Sequence, residues 1–238
     1  MDGGHGGSGE AARGVVAVTT LLVTGFGPFP GWERNPTPAM VKAVAGLRLP
    51  GIRIVGQVFN TVYAEVARDL PALIARHRPD AILLFGLAGR TGHIRIEKHA
   101  HNVTSRRVPD ASGVFHVSAD IVAEGAWRVP TDFACGPLVA RLRRSGLDAR
   151  LSPSAGDYLC NFAYWLALEA VKRHQVKRAL FVHVPLPLQA GRSARGAFSR
   201  RMTADDLAEA AVGAALAITG RGYLAKPVRR PRAQSARP

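Results

Sequence analysis

Cys160 opens a strongly apolar helical pattern, Tyr158 to His174, directly after the small-residue turn Ser152-Pro-Ser-Ala-Gly-Asp. A thiol at a helix start lies near the positive end of the helix dipole, among N–H groups that lack intrahelical partners. Both features favour the thiolate, which is the nucleophile. A nucleophile of this kind needs a base to take its proton, and the base needs an orienting partner. His183 has the type and place for a base: it follows Leu180-Phe181-Val182, so it emerges from the end of a buried strand pattern. Glu97 lies in an alternating stretch, His93 to Val103, on the side that also carries His93, Arg95, His99 and His101. Each residue also has a plainer reading. Free cysteines are mostly small buried hydrophobes, strand-end histidines usually sit satisfied in a core, and a glutamate on a strand face is usually solvated. Cys135, beside Ala134 and Gly136 in a helical pattern, reads as structural.

The same stretch allows a competing chemistry. His99 and His101 stand two apart on a strand and so share a face, as metal ligands can. With Glu97 they would make a metallohydrolase site, but no clear further ligand follows from the sequence. The expectation is therefore no metal and no cofactor.

The elements that must position these groups alternate along the chain. Thr19–Thr24, Ile52–Phe59, Ala81–Phe85, His93–Val103, Ala149–Leu151 and Arg178–Val184 read as strands; Ala81–Phe85 is apolar on both faces, as a central strand is. Ala39–Leu47, Tyr63–His77 (with Pro71 an expected irregularity), Phe133–Ser145, Tyr158–His174 and Ala204–Thr219 read as helices, the last capped by Thr203 with Asp205 and Asp206 in its first turn. Residues 114–130 suggest a short hairpin or a loop excursion, and residues 193–200 a polar loop. The alternation predicts an α/β class: a single domain, a three-layer α/β/α sandwich around a mostly parallel (mixed) sheet. In such folds ligands bind beyond the carboxyl ends of the strands, where the loop after strand one, Gly86–Arg90 and His183 all lie. The expected boundaries are a disordered Gly-rich leader over 1–18, the α/β domain over 19–222 and a Pro/Arg-rich tail over 223–238.

Composition narrows the function classes. Two cysteines form no disulfide framework and suit a reducing compartment, so the expected location is cytoplasmic. No apolar run is long enough to span a bilayer. Arg13 followed by Val15–Val23 faintly resembles a signal peptide, but it runs into a glycine-rich turn and reads as a first strand. The net charge of +15 raises nucleic acid or an anionic surface as a partner. The basic residues are scattered, however, and dense only at Arg229, Arg230, Arg232 and Arg237, which argues for a solvated surface with a basic tail. A non-catalytic basic binding module is kept as the alternative reading.

Beyond types and spacing, the residues themselves carry a likeness. Thr24-Gly25-Phe26-Gly27-Pro28-Phe29 with Asn35-Pro36 resembles the N-terminal motif of the pyroglutamyl peptidase I (pyrrolidone-carboxylate peptidase) family. So do Gly86-Leu87-Ala88-Gly89, then Ile94-Arg95-Ile96-Glu97-Lys98, Asn102 and Arg107-Val108-Pro109-Asp110. The stretch Ser152–Asn161 and Phe181-Val182-His183-Val184-Pro185 complete the set in family order, over about residues 20 to 190. The resemblance implies a cysteine exopeptidase acting on pyroglutamyl peptides, with Cys160 as nucleophile, His183 as base and Glu97 as third catalytic residue. It puts Phe26 and Phe29 at the pyrrolidone ring and Asn35 and Arg107 at polar positions nearby; backbone around Leu87 could meet the ring's polar groups. It also implies a homo-oligomer. The chain departs from the family at Arg90-Thr91-Gly92, at Ile96 where a proline is common, at His99 and His101, and at Ser105-Arg106, which bears on substrate preference.

Overall fold

A computed structural model describes residues 18–188 and 202–221. The leader expected over 1–18 (Val18 apart), the polar loop at 193–200 and the basic tail lie outside the described residues. Eight strands and five helices follow one another in chain order among the described residues: β1 Thr19–Phe26, α1 Thr37–Ala45, β2 Ile52–Phe59, α2 Tyr63–His77, β3 Ala81–Leu87, β4 Ile94–Glu97, β5 His99–His101, β6 Arg128–Pro130, α3 Cys135–Arg144, β7 Ala149–Ser152, α4 Leu159–Lys172, β8 Arg178–Val184 and α5 Ala204–Ile218. The main sheet has the order β2-β1-β3-β8-β4-β7. β2, β1, β3 and β8 are mutually parallel, β4 is antiparallel to β8, and β7 is parallel to β4.

Apolar residues on the two sides of the strands build two cores. On one face Leu21, Val23, Leu83, Phe85 and Val182 pack against α1, α3 and α5. On the other, Leu22, Leu84 and Phe181 pack against α2 and α4. This is the three-layer sandwich on a mixed sheet that the alternating pattern predicts. Helix α2 runs on through Pro71. Thr203 caps α5 in a capping box: its side chain accepts from the Asp206 N–H, and the Asp206 carboxylate accepts from the Thr203 N–H.

Two expectations change. The stretch His93–Val103 is not one strand, because the ladder breaks at Lys98. Its N–H donates to the Ser152 carbonyl, its own carbonyl accepts from Thr131 N–H, and β5 leaves to pair with β6 as a separate two-stranded sheet. The polar side of β4 is also not solvated: Glu97 is buried completely beneath α4. The excursion at 114–130 is a loop whose end, β6, supplies that pairing partner.

Candidate active site

Register places the chemistry-bearing residues on one face. Gly86 pairs with His183 across β3 and β8, and Arg95 and Glu97 pair with His183 and Phe181 across β4 and β8. Cross-strand partners, and residues two apart, point to the same side of a sheet. Gly86, His183, Phe181, Arg95 and Glu97 therefore all face the α2/α4 layer. Cys160, second residue of α4, lies over this patch: a Cβ built on Gly86 would come within 2.7 Å of its Sγ. Gly86 thus makes room for the thiol next to the strand position of His183. β7 runs opposite to β8, and residues 153–158 bring the chain from its end to the start of α4 over the sheet.

His183 Nδ1 lies 2.9 Å from Glu97 Oε1, and both residues are buried. Arg95 Nε lies 3.1 Å from the same oxygen. The Arg95 guanidinium is anchored by Ser152 Oγ at 2.8 Å and the Ser154 carbonyl at 2.6 Å. Glu97 Oε2 is buried without a hydrogen-bond partner. With Nδ1 engaged by a carboxylate, the imidazole tautomer that donates there leaves Nε2 as a proton acceptor. Burial pushes the Cys160 thiol up to about 12, the Glu97 charge adds to this, and Arg95 and the residue's own N–H act in the other direction. The helix-start argument alone expects a thiolate; burial outweighs it, so the thiol needs a base when it reacts.

Helix α4 is fixed to the rest of the site by side chains that the sequence does not single out. Tyr164 Oη donates to the Glu97 carbonyl at 3.0 Å. Asn161, fully buried, accepts from His101 N–H at 2.8 Å and donates to the carbonyls of His101 and Val103 at 2.8 and 2.9 Å. Tyr158, at the N-cap, donates to the Pro109 carbonyl at 2.8 Å and stands with its ring 5.9 Å from Phe29. Trp32 stacks on Phe29 at 6.5 Å and lies flush against Gly89, where a Cβ would come within 2.0 Å of its ring. In the sequence Trp32 is marked only as an aromatic directly after the glycine-rich stretch Gly25–Gly31.

The residues expected to bind substrate divide. Phe29 is half-buried in this aromatic group, between Trp32 and Tyr158. Phe26 ends β1 in the core, 6.1 Å from the Phe59 ring. Asn35 is occupied by its own loop: it donates to the Gly27 carbonyl at 3.0 Å and accepts from Thr37 N–H at 3.1 Å. Leu87 is the last residue of β3, with a buried side chain. Arg107 lies exposed on the loop after β5. The histidine-metal set is not assembled, because Glu97 turns to His183 while His101 packs on Trp127 at 4.4 Å. No group of three ligating side chains that could hold a metal occurs among the described residues. Cys135 also starts a helix, but it donates to the Phe133 carbonyl at 3.3 Å in the opposite core, and burial pushes its thiol up to about 11. No helix of the described residues is long and apolar enough to cross a membrane.

The fold has counterparts among solved structures. A structure of pyroglutamyl peptidase I from Bacillus amyloliquefaciens superposes with a TM-score of 0.74 at 27% identity, covering 85% of this chain and 98% of the other. A mutant pyrrolidone carboxyl peptidase from Pyrococcus furiosus does so with a TM-score of 0.76 at 27% identity, over 85% and 99%. The pyrrolidone-carboxylate peptidase 1 of Ralstonia nicotianae is 34% identical over 173 residues, 72% of this chain and 80% of that one. That of Bacillus licheniformis is 32% identical over 171 residues, 71% and 80%. The family described as pyroglutamyl peptidase matches residues 19–219. The chain therefore belongs to the pyroglutamyl peptidase family and is a hydrolase of the cysteine-peptidase type.

Proposed function

We propose that this enzyme removes an N-terminal pyroglutamyl residue from peptides through a Cys160–His183–Glu97 triad and an acyl-enzyme. The observation that carries the reading is the meeting of three groups at Gly86: the Cys160 Sγ above it, His183 beside it, and Glu97 on the Nδ1 of that histidine. The pyrrolidone ring is flat and mostly apolar, which suits the aromatic group around Phe29, with Phe26 closing the core below. Its amide needs polar partners. The Ala88 N–H donates to Val184 on β8, so by the alternation of a parallel ladder the backbone groups of Leu87 point the other way, toward β1. The β1–β3 pairing ends at Thr24 and Leu84, which leaves Leu87 groups open for a lactam. Asn35 serves by closing the loop that carries Phe29, and Arg107 by adding positive charge at the rim.

As the thiol attacks the carbonyl, its proton passes to His183 Nε2, and Glu97 steadies the imidazolium that forms. First-turn N–H groups of α4 are placed to stabilise the oxyanion. The tetrahedral adduct collapses, His183 returns the proton to the leaving amine, and a pyroglutamyl thioester remains. Water, deprotonated by His183, then attacks that thioester and releases pyroglutamate and the thiol. Two free cysteines suit a reducing location, the cytoplasm. A pyroglutamyl-amide reporter should be cleaved, with release lost on iodoacetamide treatment and reduced at least about 1000-fold in Cys160→Ala. Turnover that survives Cys160→Ala at the wild-type rate overturns the mechanism.

A further inference from the structure

The Glu97 carboxylate raises a charge problem that the triad alone does not answer. It is wholly buried, and one of its oxygens has no hydrogen-bond partner. Before the thiol reacts, the imidazole beside it must be neutral to act as a base, so it offers a hydrogen bond but no counter-charge. An ionised carboxylate in that setting is costly unless a cation stands near. Ionisable groups that feel its charge include His93 and Arg95 at β4, His101 on β5, Cys135 on α3, Cys160 and Tyr164 on α4, and His183 on β8. Of these, Arg95 alone is a fixed cation at every working pH. Its Nε is 3.1 Å from Oε1, while its Nη2 donates to Ser152 Oγ and the Ser154 carbonyl, at the turn that leads to Cys160.

We propose that Arg95 is a positioning residue for the reaction: held by Ser152 and Ser154, it supplies the resting counter-charge for Glu97 and so extends the activity toward lower pH. The sign follows from charge. Arg95 is a cation that opposes the effect of the Glu97 charge on the Cys160 thiol, which the carboxylate holds in its protonated form. Without Arg95 the thiol gives up its proton only at higher pH, and the acid limb of activity moves up. This inference rests on the proposed triad, not on the identity of the substrate.

The test is the pH profile of kcat/KM with the pyroglutamyl-amide reporter for wild type, Arg95→Met and Arg95→Lys. It is paired with the pH profile of Cys160 alkylation by iodoacetamide, read by mass spectrometry of the labelled peptide, which needs no substrate. Arg95→Met should move both acid limbs up by about one pH unit, and Arg95→Lys should bring them most of the way back. Should the methionine variant fail to fold, Arg95→Gln and Ser152→Ala carry the same comparison. Limbs that stay in place while the plateau falls reduce Arg95 to a structural role and overturn the proposal. A shifted alkylation limb with no reporter cleavage by wild type leaves the proposal standing and overturns the substrate assignment instead.

Discussion

Gly86 has to lack a side chain. A methyl there would stand 2.7 Å from Cys160 Sγ and 2.7 Å from Phe181 Cζ, and neither α4 nor the Phe181 ring, packed in the core, has space to retreat. Gly86→Ala should therefore displace the thiol and lower kcat/KM by about 100-fold or more, since an error of an ångström at a reacting atom costs that much. The reporter assay measures it, with circular dichroism to verify that the fold persists. At this scale the sequence offered candidates and said little about their surroundings. Cys160, His183 and Glu97 could be chosen by type, place and family likeness. What surrounds them could not. The contact of His183 with Glu97 and the room at Gly86 depend on the register of β8 between β3 and β4. Register comes from pairings between distant parts of the chain.

Among the elements, α4 carries the most consequence, because it brings the thiol and is pinned where it does so. Asn161 is its main pin, with its hydrogen bonds to His101 buried and that to Val103 partly buried. Asn161→Ala leaves those backbone groups without partners, a loss on the order of 3 kcal/mol. Calorimetry should show a Tm lower by roughly 10 °C. Asn161→Asp should be at least as damaging near neutral pH, because it sets a buried carboxylate oxygen against the carbonyls of His101 and Val103. Most elements were legible because their periodicity is strong and their neighbours are turn residues: Ala81–Leu87 is apolar throughout, and Thr203 marks the start of α5. The break at Lys98 was not, since the alternation from His93 to Val103 continues across it. Its cause lies outside the segment, in the Ser152 carbonyl and Thr131 N–H that take the Lys98 backbone out of register.

For the molecule as a whole, charge is the dominant long-range feature. A net charge of +15 attracts acidic ligands, and Arg106 and Arg107 lie exposed on the loop whose Pro109 carbonyl is bonded by Tyr158, two residues before Cys160. The enzyme should favour an acidic over a basic residue directly after pyroglutamate. That preference, read as a ratio of kcat/KM values, should decline toward one as NaCl rises from about 0.01 M to about 0.5 M. The sheet has a further consequence at this scale. Among the described strands β8 alone joins the β2-β1-β3 half to the β4-β7 half, and it is the last of them to be synthesised. It also brings His183, 86 residues after Glu97. A nascent chain that has not reached residue 178 has nothing between β3 and β4 and lacks the proposed base. With His183 as the proposed base, the order of synthesis acts as a timer, and hydrolysis waits for the closing strand.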